Sequence, residues 1–347
     1  MSATLQPGEI SRIVEQTAAR VLEHYVFPAT AARLAALLRE RLSAGAYHQA
    51  GEPRILAELV TADLRSVNGD LHLRLRHLPE PASDEEGAAV RDEMERAADL
   101  TMGGIPRVER LTGGVALLEL GRFLLPVRDA GDAVTAAFTL VARSEALLID
   151  LRGCRGGDPR TVSLLCSYLL DEHTQLNTMR YRDESRTTQS WTLPYVPGTR
   201  YGTARPLFLV TGPKTFSGAE ELAYNMQQLK RGKVVGQATG GGAHPQIGFT
   251  LHPHLEATVP NARAVNPVSG TNWEGTGVVP DVRVPADDAL TAAHRLALEA
   301  ITRGGREAPS VAEAREELRR LEELSAASPG DITQSAGTDA DEAQPVS

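Results

Sequence analysis

The chain has 347 residues, 41% of them apolar, enough to bury a substantial core in one large domain or two ordinary ones. A net charge of -9 and the lack of any Lys/Arg block exclude the clustered basic face that a nucleic-acid partner needs. The two cysteines, Cys154 and Cys166, form no CxxC pair, so buried thiols are expected and neither a disulfide framework nor a structural zinc site is.

The N-terminal stretch MSATLQPGEISRIVEQTAARVLEHYV is charged throughout and lacks the apolar centre of a signal peptide. No run of about 18 apolar residues occurs, so the expectation is a cytoplasmic protein with no membrane partner. Apolar residues recur at helical spacing from 8 to 47: Ile10, Ile13 and Val14, then Val21, Leu22, Tyr25 and Val26, then Leu34, Leu37 and Leu38. Pro28 separates two of these helices, and a third, around ILAELVTADLRSV, ends near Asn68 and Gly69. Residues 1–78 therefore read as a helical N-terminal domain, and 79–103 as an acidic surface connection.

After residue 104 the texture turns to alternation and short apolar runs: RVERLTGGVALLEL, AFTLVA, ALLIDLRG, PLFLVTG and KVVGQ. Helical patterns lie between the later runs, at 158–171 and 218–230. Strands alternating with helices predict an α/β domain over 104–303 with a largely parallel sheet. Helices are expected at 286–302 and 310–325, giving a C-terminal helix over 304–326, and the Ser/Gly/Asp-rich residues 327–347 read as a disordered tail. No internal repeat is visible.

Within GPKTFSGAEELAYN, Ser217 falls in the turn between a buried strand and a helix carrying Leu222, Met226 and Leu229. A serine there caps the helix, or it acts as a nucleophile whose oxyanion is met by the amide of Gly218 at the helix N-terminus. The second role requires a base, a group that orients the base, and another oxyanion donor. SVNGDLHLRLRH offers His72, with His77 as a competitor; SGTNWEGTGVVPD offers Glu274; and DLRGCRGG offers Gly156 and Gly157 after a strand. Each also has a plain structural reading, as a hydrogen-bonded histidine, a solvated acid and a turn. GGGAHP lacks the Lys-Ser/Thr ending of a phosphate loop, so it reads as a loop lining a cleft, from which His244 contacts substrate or competes with His72 as base. The HPH at 252–254 fits a surface turn better than a metal site.

In order, YVFPATA, GDLHL, GIPRVERLTGGVALLEL, DLRGCRGG, TFSGAEELAY, GQATGGGAHP and NWEGTGVVPD resemble the serine peptidase family of the C-terminal processing (tail-specific) proteases, the tricorn core and interphotoreceptor retinoid-binding protein. The resemblance runs from about Tyr25 to Leu298. It implies a crotonase- and Clp-protease-like core of sheet and helices behind a small helical domain. It also implies Ser217 as nucleophile, Gly218 with Gly156 or Gly157 as oxyanion donors, and neither a metal nor an organic cofactor. Lining up TGGGA with the processing proteases' TFGKG-like segment puts Gly242 where their lysine base stands. What remains resembles the tricorn and retinoid-binding branch, in which a histidine base is oriented by a glutamate, matching His72 and Glu274. Leu71 stands where the tricorn branch has a serine, and no room exists between His77 and Arg107 for a PDZ domain. The implied substrate is a peptide or protein. The alternative is a silent binding module for an apolar ligand such as a retinoid or fatty acid, and a CoA-ester enzyme ranks last. Self-association among related proteases makes a homo-oligomer an expectation from the resemblance.

Overall fold

The computed structural model describes residues 4–81, 95–304 and 307–327. Most of the expected acidic connection and the expected tail from 328 lie outside the described residues. Three helices open the chain: α1 (Pro7–His24), α2 (Pro28–Ser43) and α3 (Pro53–Asn68). Each carries proline in its first turn, where the missing amide hydrogen costs nothing. Gly69, at φ 72°, closes α3 in the left-handed conformation that glycine adopts without strain.

The chain then enters β1 (Arg74–His77), β2 (Arg107–Leu111), β3 (Val115–Glu119), α4 (Val127–Val141), β4 (Ala146–Asp150), α5 (Pro159–Leu169), β5 (Gln175–Tyr181), β6 (Thr187–Trp191) and β7 (Leu207–Thr211). It continues through α6 (Gly218–Gln228), β8 (Lys233–Gly236), β9 (Gln246–His252), β10 (Leu255–Pro260), β11 (Ala262–Val265), β12 (Val282–Arg283), α7 (Ala289–Arg303) and α8 (Pro309–Ala327). No described helix is long and apolar enough to cross a membrane.

A six-stranded sheet of order β12-β8-β7-β4-β3-β2 forms the centre, parallel except for the antiparallel edge pair β2–β3. Both faces of β3, β4 and β7 are covered, which is why these strands read as continuous apolar runs. Leu147 and Ile149 point into the core shared with α4, α5 and α6, while Leu148 and Val210 point into the core shared with α7 and α8. The RVERLTGGVALLEL stretch is two strands joined by a turn with Gly113 at φ 82°.

One sequence expectation is corrected. AFTLVA lies at the end of α4 and its last residue caps that helix, because Ala130, Val134, Ala137, Phe138 and Val141 repeat at helical spacing and bury one face. The sequence expectations did not include β5, β6, β9, β10 and β11: β6 is polar and mostly exposed, β9 alternates Ile247, Phe249 and Leu251 but is only partly buried, and β10 is nearly all buried but short. They build two small antiparallel sheets, β11-β5-β6 and β1-β10-β9. The second draws β1 onto a strand 184 positions later, as Arg74 pairs with Thr258, and α1–α3 share one core with Leu255, Ala257 and Val259.

Beneath the small sheets lies a buried polar network. Asn177 Nδ2 donates to Glu221 Oε1 at 3.0 Å and to Asn225 Oδ1 at 3.2 Å, and Asn266 Nδ2 donates to Asn225 Oδ1 at 3.1 Å. Burial pushes the Glu221 carboxyl up from its ordinary 4.5 to about 7, against the hydrogen bond from Asn177. The folded protein thus favours protonated Glu221, so stability falls as pH rises from about 4.5 to about 7. Glu221→Gln is expected to raise stability by about 1 kcal/mol or more at pH 8 and to change it little at pH 4, read by thermal unfolding at both pH values.

Candidate active site

The loops after β3, β4, β7 and β8 all leave the carboxyl edge of the parallel strands, where open α/β sheets place their ligands. Hydrogen bonds to backbone carbonyls tie them together. Phe216 N donates to Cys154 O at 3.2 Å, Thr215 Oγ1 donates to Leu151 O at 2.8 Å, and Gly240 N donates to Thr215 O at 2.9 Å. Asp150 at the end of β4 grips the Arg152 guanidinium through both carboxylate oxygens, and Arg152 Nη1 donates to Ala286 O at 2.9 Å.

Ser217 occupies the N-cap of α6 with φ 52° and ψ -121°, a left-handed value that costs a non-glycine residue about 1–3 kcal/mol. The buried Glu220 carboxylate holds that turn. It accepts from Ser217 N at 2.7 Å, Gly242 N at 2.9 Å, Gly241 N at 2.7 Å and Thr239 Oγ1 at 2.5 Å. One carboxylate therefore fastens the serine turn to the 239–242 loop, and burial raises its pKa despite four donors. The S-x-x-E spacing of a capping box marked Glu220 in the sequence, and the reading passed over it.

Gly156, at φ 87°, lies directly under the serine: a Cβ there would stand 2.5 Å from Gly218 N and 2.8 Å from Ser217 Cβ. Gly157 packs against the Leu124 carbonyl so closely that a Cβ would collide with it. A Cβ on Gly218 would stand 3.2 Å from Gly157 N, so the two amides share one nook. Among the described residues neither the Gly157 nor the Gly218 amide donates a hydrogen bond.

On the other side, the α3 C-cap turn delivers Asp70 and His72. Asp70 Oδ1 accepts from His72 N at 3.0 Å, and Thr258 Oγ1 donates to His72 O at 2.8 Å, fixing the backbone. The His72 ring packs on Phe216, the residue before the serine, with centroids 4.7 Å apart. Burial pushes His72 down to about 4, opposed by the charge of Asp70. Its Nδ1 is buried and has no hydrogen-bond partner among the described residues. His77, the competitor, lies at the end of β1 and stacks loosely on His254.

Glu274 differs from expectation. No hydrogen bond joins it to His72 among the described residues; its Oε2 accepts from Ala243 N at 2.5 Å and lies 3.4 Å from His244 Nδ1. His244, expected to face substrate, is buried, and its Nδ1 lies 2.9 Å from Asp70 Oδ2. Tyr25 donates to the same Asp70 oxygen at 3.0 Å. Burial alone would raise Asp70, but its bonds from His244 and Tyr25 hold it below the ordinary carboxylate value. Glu274 is pushed up to about 7 by burial and by Asp70. Asp70 and Tyr25 escaped the sequence reading because their role depends on neighbours brought in from 244 and 274.

Gly242 explains the absent lysine. A Cβ there would overlap the Phe216 ring and come within 2.6 Å of His72 Cε1, so no side chain fits while His72 is in place. Glu220→Gln removes an acceptor and turns an NH₂ toward amide donors; the activity of the site is expected to fall by about tenfold or more with the far-UV circular dichroism unchanged.

The sequence profile of peptidase family S41 matches residues 114–284, and the profile of the N-terminal domain of this family in eukaryotic interphotoreceptor retinoid-binding protein matches residues 6–102. Among solved structures, a lipoprotein from Streptococcus agalactiae is similar at TM-score 0.57 and 17% identity, covering 85% of this chain and 98% of that one. The photosystem II D1 C-terminal processing protease is similar at TM-score 0.51 and 15% identity, covering 85% and 96%. The tricorn protease is similar at TM-score 0.53 and 12% identity, covering 91% of this chain and 37% of that one. At these identities the structures bear on the fold, and the fold agrees with the two profiles. The chain belongs to peptidase family S41 and is a serine-type peptidase.

Proposed function

We propose that Ser217 is the nucleophile of a peptide-bond hydrolase, with His72 as its general base and the amides of Gly157 and Gly218 as the oxyanion hole. The observation that carries this reading is the nook itself. A serine held at positive φ stands beside two amides without acceptors, and an imidazole packs on the adjoining residue. Ser217 Oγ attacks the peptide carbonyl and passes its proton to a ring nitrogen of His72. The developing oxyanion is met by amides already fixed in place, which costs no reorganisation at the moment of reaction. The imidazolium then gives its proton to the leaving amine, and water repeats the sequence on the acyl-enzyme.

Burial keeps His72 unprotonated at neutral pH, so the base is available, but the same burial disfavours the imidazolium. Asp70 is the group whose charge offsets this, and it holds the His72 backbone amide as well. We assign Asp70 the electrostatic support of His72, and Glu274 a supporting position one residue removed, through His244 and Ala243. Gly157 is favoured over Gly156 as second donor because it is the solvent-facing member of the pair.

The test is labelling with a serine-reactive fluorophosphonate read by intact mass. A single adduct on the parent that is absent from Ser217→Ala is expected, together with loss of peptide hydrolysis by about 10³-fold or more. His72→Ala should lose both labelling and turnover by a comparable factor. A folded parent that takes no adduct, with its cleft shown to be empty of ligand, would overturn the assignment and favour the apolar-ligand reading.

A further inference from the structure

The buried cluster of Asp70, His244 and Glu274 carries more than an electrostatic role. One ligand-capable atom from each lies within 4.8 Å of the others. His244 Nδ1 is 2.9 Å from Asp70 Oδ2 and 3.4 Å from Glu274 Oε2, and the three side chains are 5%, 1% and 17% exposed. Zinc bonds of about 2.0–2.2 Å to imidazole and carboxylate put tetrahedral neighbours roughly 3.3 Å apart, so two separations already bracket the spacing and the third closes by a small carboxylate rotation. The donor set of one nitrogen and two oxygens suits a borderline cation. A second observation lies beside the cluster: His72, whose amide donates to Asp70 Oδ1, is 7% exposed and its buried Nδ1 has no partner among the described residues, while His244 Nδ1 has one hydrogen at most for the two carboxylates that face it.

We infer that Asp70, His244 and Glu274 form a binding site for one zinc-class divalent cation. Binding requires Nδ1 of His244 to be free of its hydrogen, which then resides on Nε2. The cation balances two buried carboxylates that face each other across the imidazole. Because Asp70 Oδ1 also accepts from the His72 amide, a cation on Asp70 Oδ2 draws on the carboxylate that fixes the turn carrying His72, and the cation is a reversible inhibitor. This last consequence rests on the proposed peptidase mechanism; the binding itself does not.

The experiment uses the full chain stripped with EDTA. Zinc is titrated by calorimetry, Co²⁺ by absorption spectroscopy, and peptide hydrolysis is followed over the same zinc range. One cation per chain is expected, with the visible bands of four- or five-coordinate Co²⁺ and hydrolysis falling as the site fills. His244→Ala and Glu274→Gln should each weaken binding by about tenfold or more. Tyr25→Phe, nearly isosteric and so the safeguard if the buried variants fail to fold, removes the hydrogen bond that orients Asp70 and should weaken binding by about tenfold. His252 and His254, ring centroids 6.0 Å apart at the β9–β10 turn, are the competing surface donors, and replacing both with alanine should leave binding unchanged. No binding at millimolar zinc, unaltered affinity in Tyr25→Phe, or binding lost only with His252 and His254 would overturn the site. Zinc bound at the cluster by a chain that hydrolyses no peptide would leave the metal site standing and remove the mechanism instead.

Discussion

Glu220 has no exposed surface, and its carboxylate still accepts four hydrogen bonds, from three backbone amides and one threonine hydroxyl. An ionisable group in that position is costly unless every lone pair is used, and here each oxygen has two donors. The geometry that results is the one on which the rest of the site depends. It keeps Ser217 at a backbone angle that serine does not choose. It also draws the 239–242 loop across the serine turn, and that loop carries Gly242 against His72 and Ala243 against Glu274. The strain at Ser217 and the burial of Glu220 are thus offset in one local structure.

The base side of the cleft is governed by space and by charge. Gly242 leaves room for the imidazole of His72, and any side chain there would overlap Phe216 or His72. A lysine carried by this loop and the imidazole of His72 carried by the α3–β1 turn therefore compete for one volume, and the chain holds only the imidazole. Charge is then set by burial. His72 is pushed down, Glu274 up, and Asp70 is held low by the donors around it. The environment thus separates three nearby groups into different protonation preferences.

Much of this was legible in order along the chain. The strand and helix flanking Ser217 follow from PLFLVTG and the spacing of Leu222, Met226 and Leu229, and both faces of β7 and all sides of α6 through Met226 are buried. Gly156 and Gly157 of DLRGCRGG stand at positive φ, Gly156 against the serine turn, and a left-handed turn after a strand leaves few alternatives to glycine. AFTLVA was misread because six residues cannot distinguish a buried strand from the last turns of a helix whose spacing begins at Ala130. The small sheets were missed for other reasons: Thr187–Trp191 is polar and mostly exposed, and the alternation of Ile247, Phe249 and Leu251 in Gln246–His252, only partly buried, was passed over.

By itself the sequence determined the central elements, the position of Ser217 at a strand-to-helix turn, and the absence of a lysine at residue 242, because each depends on residues close together in the chain. Only the tertiary structure decided which acid meets which imidazole. Asp70, His244 and Glu274 come from three distant loops, and pairing β1 with β10 and lacing the 239–244 loop to Glu220 sets their separations to within a few ångströms. Hydrogen bonding is lost over about that distance, so the choice of His244 over His72 as the neighbour of Glu274 could not be read from spacing along the chain.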